Sequence, residues 1–457
     1  MSHIEATPAT QDRSKAALHR RHRHRRLTLA WGTSLLSKVA TAGVQFLAVP
    51  LVYHALGQTG YAAYAAVTAS AVLITALNLG IGGSLVTPIA EAAAQSDERR
   101  QAVLVQAGLG PLVALCLLGA MVVLPVICLT PLRTLFGRVG ASGYPELRTA
   151  VVIAAIATLT AVPFSAVMFL RQAYQEMHIS NLVSAVTNGL LCIGLLLAAR
   201  RSNSVAVFVA LFVLMPLIGQ AINLTWLFCQ RKFLLRGISR KSLRESRHLL
   251  GDGVRFVAAD FAGMLLYQWP VYWIARTEFA ATSSWFAICM QATVLQLVFG
   301  IGFMMPIWPS TADAVARRDY DWLHNTIRKG RIVITTVGIG AFLAMLFLGQ
   351  RMIDLWLRKP LRLEWPVRGL MGLYVLLALW EFYHLMLAYG FGHLREAASA
   401  VFFRSVAFAL ALPLLMRLGG VPLLWCGLCC SALWTAWRLP RLIRVPVHTA
   451  KPDFATP

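Results

Sequence analysis

Long apolar runs recur along the whole chain, separated by short polar connections. Each run is close to the length of helix that crosses a bilayer, about 20 residues at 1.5 Å rise. The runs are Leu27 to Val52, Ala63 to Ala90, Val103 to Leu129, Val151 to Leu170, Leu182 to Ala199 and Val205 to Cys229. After a polar break come Val254 to Ala275, Phe286 to Trp308, Ile332 to Leu348, Leu370 to Phe391, Ala398 to Leu415 and Leu423 to Trp437. This pattern predicts an all-α membrane protein with about twelve transmembrane helices. It leaves no stretch long enough for a folded domain outside the membrane.

Composition agrees. The 457 residues are 58% hydrophobic and only 13% charged, with a mean hydropathy of +0.64. A soluble chain carries about twice that share of charge. The formal charge of +23 would fit a nucleic-acid binder. In so apolar a chain it reads instead as the Lys and Arg excess of cytoplasmic loops, so no nucleic-acid partner is expected. With the N-terminus cytoplasmic, the tails and the even-to-odd connections hold about 27 Lys and Arg and the opposite connections about 11. Both termini are therefore expected on the cytoplasmic face of the membrane. The basic run His19 to Arg26 precedes an apolar stretch too long for a cleavable signal and suits an anionic leaflet.

The connections divide the chain. Residues 1–26 form a basic tail, 27–230 an N-terminal six-helix bundle, 231–247 a basic linker, 248–440 a C-terminal six-helix bundle and 441–457 a second tail. A short pattern recurs six helices apart. Glu91-Ala-Ala-Ala-Gln-Ser-Asp97 and Asp313-Ala-Val-Ala-Arg-Arg-Asp319 both read acidic-Ala-x-Ala-x-x-Asp. As a true repeat it relates the halves by an axis along the membrane normal and places a substrate between them.

Ionisable residues inside the spans mark candidate function, since each costs roughly 2.5–3.5 kcal/mol at a helix centre. Lys38, Arg255 and Arg404 are candidate cavity cations that could bind substrate, with snorkelling to the headgroups as the competing reading. Asp260, Glu381 and His384 are candidate coupling groups. Glu381 and His384 share a helical face and suit either a proton relay or an interhelical hydrogen bond. Polar neutrals such as Gln45, Asn78, Asn188, Gln220, Asn223 and Gln268 either line a cavity or join helices. Tyr267, Trp269, Tyr272 and Trp273 read as an interface belt before sugar-stacking rings. Cys426, Cys429 and Cys430 lack the partners of a metal site. No metal or cofactor is expected, and no covalent chemistry is needed.

Several motifs resemble one known family in order along the chain. Pro50-Leu51 with Leu56-Gly57 and Tyr61 and Tyr64 resembles its first turn. Leu79-Gly80-Ile81-Gly82-Gly83 resembles the end of its second helix. Pro163 and Arg171 to Glu176 resemble its fourth helix and the loop beyond. Pro306-Ile307-Trp308-Pro309, Ala312-Asp313-Ala314 and Asp319-Tyr320-Asp321-Trp322 resemble the end of its eighth helix, and Ile353 to Leu357 its ninth. The family is the Wzx-like polysaccharide flippase branch of the multidrug/oligosaccharidyl-lipid/polysaccharide (MOP) exporter superfamily. The resemblance implies a MATE-like fold of two six-helix bundles and alternating access. It implies a lipid-linked, undecaprenyl-type oligosaccharide as substrate, membrane lipids as surroundings and polysaccharide polymerase machinery as a partner. Asn78, and Tyr267-Gln268-Trp269-Pro270, stand where the family often has acidic residues, which puts its coupling site in doubt here. A cation-coupled drug or metabolite exporter of the same superfamily is the alternative. A membrane glycosyltransferase or polymerase is a third, disfavoured by the short, acid-poor outer loops.

Overall fold

A computed structural model describes residues 8–75, 81–144, 146–235, 261–304, 307–316 and 318–443. Among these residues every regular element is a helix. They are α1 (Pro8–Ile74), α2 (Ile81–Ala94), α3 (Glu98–Leu129), α4 (Leu132–Ala141), α5 (Leu147–Ala173), α6 (Met177–Arg201) and α7 (Val205–Gln230). Then follow α8 (261–277), α9 (Ala280–Met304), α10 (Ile307–Ala316), α11 (Tyr320–Leu357), α12 (Trp365–Gly390) and α13 (Leu394–Leu442).

Nine of the described helices are long and apolar enough to cross a membrane. Two of these are helical hairpins. The apolar part of α1, Gly32–Ile74, has 43 residues, about 65 Å of helix and twice the hydrocarbon thickness. It breaks at Gly57 (φ 68°, ψ −173°). The 49 residues of α13 break at Gly420 (φ 63°, ψ −150°). Arg404 and Thr435, 31 residues apart in α13, share a hydrogen bond of 2.8 Å, so its two arms lie side by side. Helix α8 supplies the remaining crossing of the expected twelve. The molecule is an all-α membrane protein of two six-helix bundles. Residues 32–235 are called here the N-half and 261–443 the C-half.

Apolar side chains on the outer faces are largely uncovered: Leu117, Met121 and Leu129 are 65%, 74% and 83% exposed. On a soluble protein such a surface would aggregate, whereas in lipid it is the expected exterior. The interior of the C-half centres on Trp425, Tyr374 and Phe286, all fully buried and in ring contact. The connection between spans three and four carries the short helix α4.

The bundle has two ends. Gly57 and Gly420 mark the far end, and the turns after spans two, four, eight and ten mark the near end. All four near-end turns have one backbone design. After span two, Ser96 is left-handed (φ 54°). Its N–H donates to the Ala93 carbonyl, and that of Asp97 to Ala92. After span eight, Arg318 (φ 59°) and Asp319 do the same to Val315 and Ala314. Gln175 (φ 57°) and Glu176 close on Gln172 and Arg171, and Gly392 (φ 86°) and His393 on Tyr389 and Ala388. This is the Schellman closure of a helix C-terminus. The repeated Asp has a mechanical role as well. Asp97 caps α3 by accepting from the Arg100 N–H, and Asp319 caps α11 by accepting from the Trp322 N–H.

Candidate transport cavity and buried charges

A cavity of about 290 Å³ lies between the halves. Spans one, two and six contribute Gln45, Tyr61, Tyr64, Thr68 and Phe212; α8 and α9 contribute Tyr267, Gln268 and Gln291. Amides, phenols and apolar carbons make up this wall, and among the described residues no charged side chain lines it. Gln45 Oε1 is buried without a hydrogen-bond partner. An unmet acceptor beside a cavity is a position where a ligand donor gains a bond without displacing an existing one.

Hydrogen bonds between the halves gather at the far end, and many accept on backbone carbonyls. Tyr272 Oη donates to the Leu135 carbonyl at 2.6 Å. Trp356 Nε1 donates to the Phe46 carbonyl at 2.7 Å while the two rings stack with centroids 5.8 Å apart. His54 Nε2 donates to the Leu357 carbonyl at 2.6 Å. The Arg138 guanidinium sits 4.1 Å from the Phe279 ring centroid. The aromatic cluster of α8 is thus more than an interface belt: Tyr267 faces the cavity and Tyr272 ties the far end shut.

A second, smaller cavity of about 130 Å³ lies inside the N-half, walled by hydroxyls and amides including Ser37, Asn181, Ser184, Thr187 and Gln220. Asn188, in its wall, donates from Nδ2 to Thr41 Oγ1 at 2.9 Å. Asn223 links it to a buried ion cluster. Arg171, 0% exposed, donates from Nε to Asn223 Oδ1 (3.0 Å) and from Nη1 to Glu176 (2.6 Å) and Gln230 (2.9 Å). Arg231 donates to the other Glu176 oxygen at 2.6 Å and lies 4.0 Å from the Tyr174 ring centroid. Burial alone would push the Glu176 carboxyl up. The hydrogen bonds and charges of Arg231 and Arg171 outweigh it, and the group lies below the ordinary carboxylate range.

The C-half has its own buried charges. Arg404 pairs with Glu381 and also donates to Thr435 Oγ1. His384, one turn along α12, is fully buried. Its Nδ1–H donates to the Trp380 carbonyl (2.8 Å), so its Nε2 accepts from Arg331 Nε (3.1 Å). That pairing requires the neutral imidazole.

The expected site residues are therefore dispersed. Arg404 and Glu381 come together between α12 and α13, His384 pairs instead with Arg331 of α11, and none of the three lines the inter-half cavity. Lys38 is exposed on α1, next to Ser37 of the smaller cavity. Arg255, Asp260, Asn78 and most of the 231–247 segment lie outside the described residues. Of the polar neutrals, Gln45 and Gln268 line the inter-half cavity, while Asn188, Gln220 and Asn223 line the smaller one. Arg171, Arg231 and Arg331 went unselected on sequence because each sits at a span end, where snorkelling is the default reading. Cys429 Sγ donates to the Leu370 carbonyl at 3.2 Å, a helix-packing contact.

Two hairpin-jointed six-helix bundles around a central cavity define the class: this is a transporter of MATE-like fold. An inward-facing multidrug MATE transporter of the MOP superfamily superposes with a TM-score of 0.66 at 16% identity, over 88% of this chain and 95% of that one. A MOP transporter from Pyrococcus furiosus gives 0.60 at 15%, over 91% and 96%. A eukaryotic MATE transporter, AtDTX14, gives 0.62 at 14%, over 92% and 95%. No curated protein matches the sequence. By sequence, the chain belongs to the polysaccharide biosynthesis protein family, whose profile matches residues 28–281.

Proposed function

We propose that this transporter flips a lipid-linked oligosaccharide, the repeat unit of an exopolysaccharide, capsule or O-antigen, across a bacterial inner membrane. The observation that carries the reading is the wall of the inter-half cavity. Amides and phenols suit sugar hydroxyls and sugar faces, and among the described residues the wall offers a cationic drug no carboxylate as counter-charge. Family membership supports the same substrate class. In this reading both termini are cytoplasmic, and the near end is the cytoplasmic entrance. The far-end bonds to Leu135, Phe46 and Leu357 are the outer gate, which breaks as the halves rock. Lys38 and Arg255 meet the lipid phosphate at the entrance. Glu381 with Arg404 and His384, together with Asp260, form the coupling set: a proton on Glu381 would release Arg404. The polymerase machinery then takes up the flipped unit.

Deleting the gene tests this. Undecaprenyl-linked oligosaccharide should build up on the cytoplasmic face, and the wild-type gene should clear it. A Gln45→Leu/Gln268→Leu double variant, still present in the membrane, should clear it about thirtyfold more slowly, since each lost hydrogen bond is worth about 1 kcal/mol. Normal polymer with no accumulated lipid-linked unit in the deletion strain would overturn the reading. The cation-coupled exporter draws on the multidrug MATE likeness. It would show instead as extrusion of small cations that depends on Asp260 or Glu381.

A further inference from the structure

A large groove of about 800 Å³ opens at the near end, away from the inter-half cavity. One face of α11 forms most of it. Asp321, His324, Arg328, Arg331 and Ile332 line it at three- and four-residue spacing, and Ile443, just past α13, closes one side. Arg331 is held in place. Its Nε donates to His384 Nε2, and His384 is fixed in turn by the Trp380 carbonyl. Only Nε is spent on the imidazole, so the Nη groups of this groove-lining side chain can serve a ligand. A planar guanidinium presented in this way matches the oxygens of a phosphate. Arg328 lies one turn away and His324 another turn beyond.

The level of the groove identifies the ligand's carrier. At its edge α11 turns lipid-facing, with groove-lining Ile332 and its neighbour Val333 61% and 59% exposed. On α13, Arg438 and Arg441 lie over the rings of Trp434 and Trp437 at 5.4 and 3.4 Å. An Arg and Trp band next to lipid-facing aliphatic residues marks headgroup depth. We propose that this groove binds the phosphate of a lipid in the near leaflet, with Arg331 and Arg328 on the phosphate oxygens and the acyl or prenyl chain along Ile332. Asp321 bounds the groove at its polar corner, which disfavours an anion there and directs the phosphate toward Arg331. The site stands apart from the proposed cargo: it would take a lipid phosphate whether or not the transported molecule is lipid-linked.

Native mass spectrometry of the purified full-length protein tests it, with three probes: phosphatidylglycerol, phosphatidylcholine and a polyprenyl pyrophosphate. Wild type should retain an anionic lipid phosphate in preference to phosphatidylcholine. Arg328→Gln should lower retention about fivefold and Arg328→Gln/Arg331→Gln by tenfold or more, roughly one factor per charge at the membrane surface. Arg438→Gln, outside the groove, should leave it unchanged. Retention of phosphatidylglycerol alone assigns a resident leaflet lipid, retention of the pyrophosphate alone a cargo-type lipid, and retention of both a general lipid-phosphate site. If the double variant does not fold, the single Arg328→Gln variant decides. Retention that is equal for phosphatidylcholine, or undiminished in a folded Arg328→Gln variant, would overturn the proposal.

Discussion

Each half of the molecule buries an arginine, and the two solve the problem of its charge differently. In the N-half, Arg171 sits at the last turn of α5, and its carboxylate comes from the near-end turn, at Glu176. A second arginine shares that carboxylate, and Asn223 and Gln230 take further N–H groups. In the C-half, Arg404 and Glu381 lie within spans, 2% and 8% exposed, with Thr435 as the further acceptor. The backbone turns after spans four and ten are alike, yet the ion pairs near them are not in matching places. Turn geometry is set by local hydrogen bonds that many side chains tolerate, so a duplication retains it. Buried charges answer to whatever packs against them, so each half has arrived at its own arrangement.

Removing one partner should separate the two cases. Arg404→Met leaves Glu381 buried without its counter-charge, and a loss of about 3–5 kcal/mol is expected, measured as a fall in unfolding temperature in detergent. Glu381→Leu/Arg404→Met should recover most of it, because an apolar pair carries no desolvation cost. A single variant as stable as wild type would show that the pair is not the clamp between α12 and α13.

The N-half should be more forgiving. After Arg171→Met, Glu176 keeps Arg231, so the expected loss is about 1–3 kcal/mol. Acid should expose the same cluster. The folded Glu176 lies below the ordinary 4.5, held there by Arg231 and Arg171 against the opposing effect of burial. A folded value below the unfolded one stabilises fully above the unfolded value, and the gain is lost as pH falls through the folded one. Unfolding temperatures from neutral pH down to about 3 should therefore fall more steeply in wild type than in Glu176→Gln. Equal slopes would mean that Glu176 gains nothing from its arginines.

Much of the architecture is legible in the sequence, because span length and loop charge are both local. The twelve runs and the repeated pattern ending in Asp97 and Asp319 follow from short windows, whereas the capping role of those two residues came only with the structure. Partnership is not legible in that way. Arg231 finds Glu176 across 55 residues, and Arg404 finds Glu381 across 23; a helical face predicts that something packs there, not what. The far-end ties are harder still. Tyr272, Trp356 and His54 all donate to carbonyls, and every residue has a carbonyl. Of the cavity, Gln45 and Gln268 were visible as polar residues in apolar runs, while Tyr61 and Tyr64 stood out only as parts of a turn motif.

The four near-end turns offer the mildest test of the comparison. Three of them place a residue with a side chain in the left-handed region, Ser96, Gln175 and Arg318, and the fourth uses Gly392. All four are exposed, and a Cβ built on Gly392 would meet open space. A substitution there changes backbone strain and little else. Ser96→Gly, Gln175→Gly and Arg318→Gly should each stabilise by about 0.5 kcal/mol, the relief of a strained Cβ less the added freedom of the unfolded chain. Gly392→Ala should cost about 1 kcal/mol. Similar shifts at Ser96 and Arg318 would confirm that the turns are energetically as well as geometrically repeated. A gain at one and a loss at the other would mean that a side-chain contact, not the backbone, holds that turn, and the repeat would then extend no further than shape.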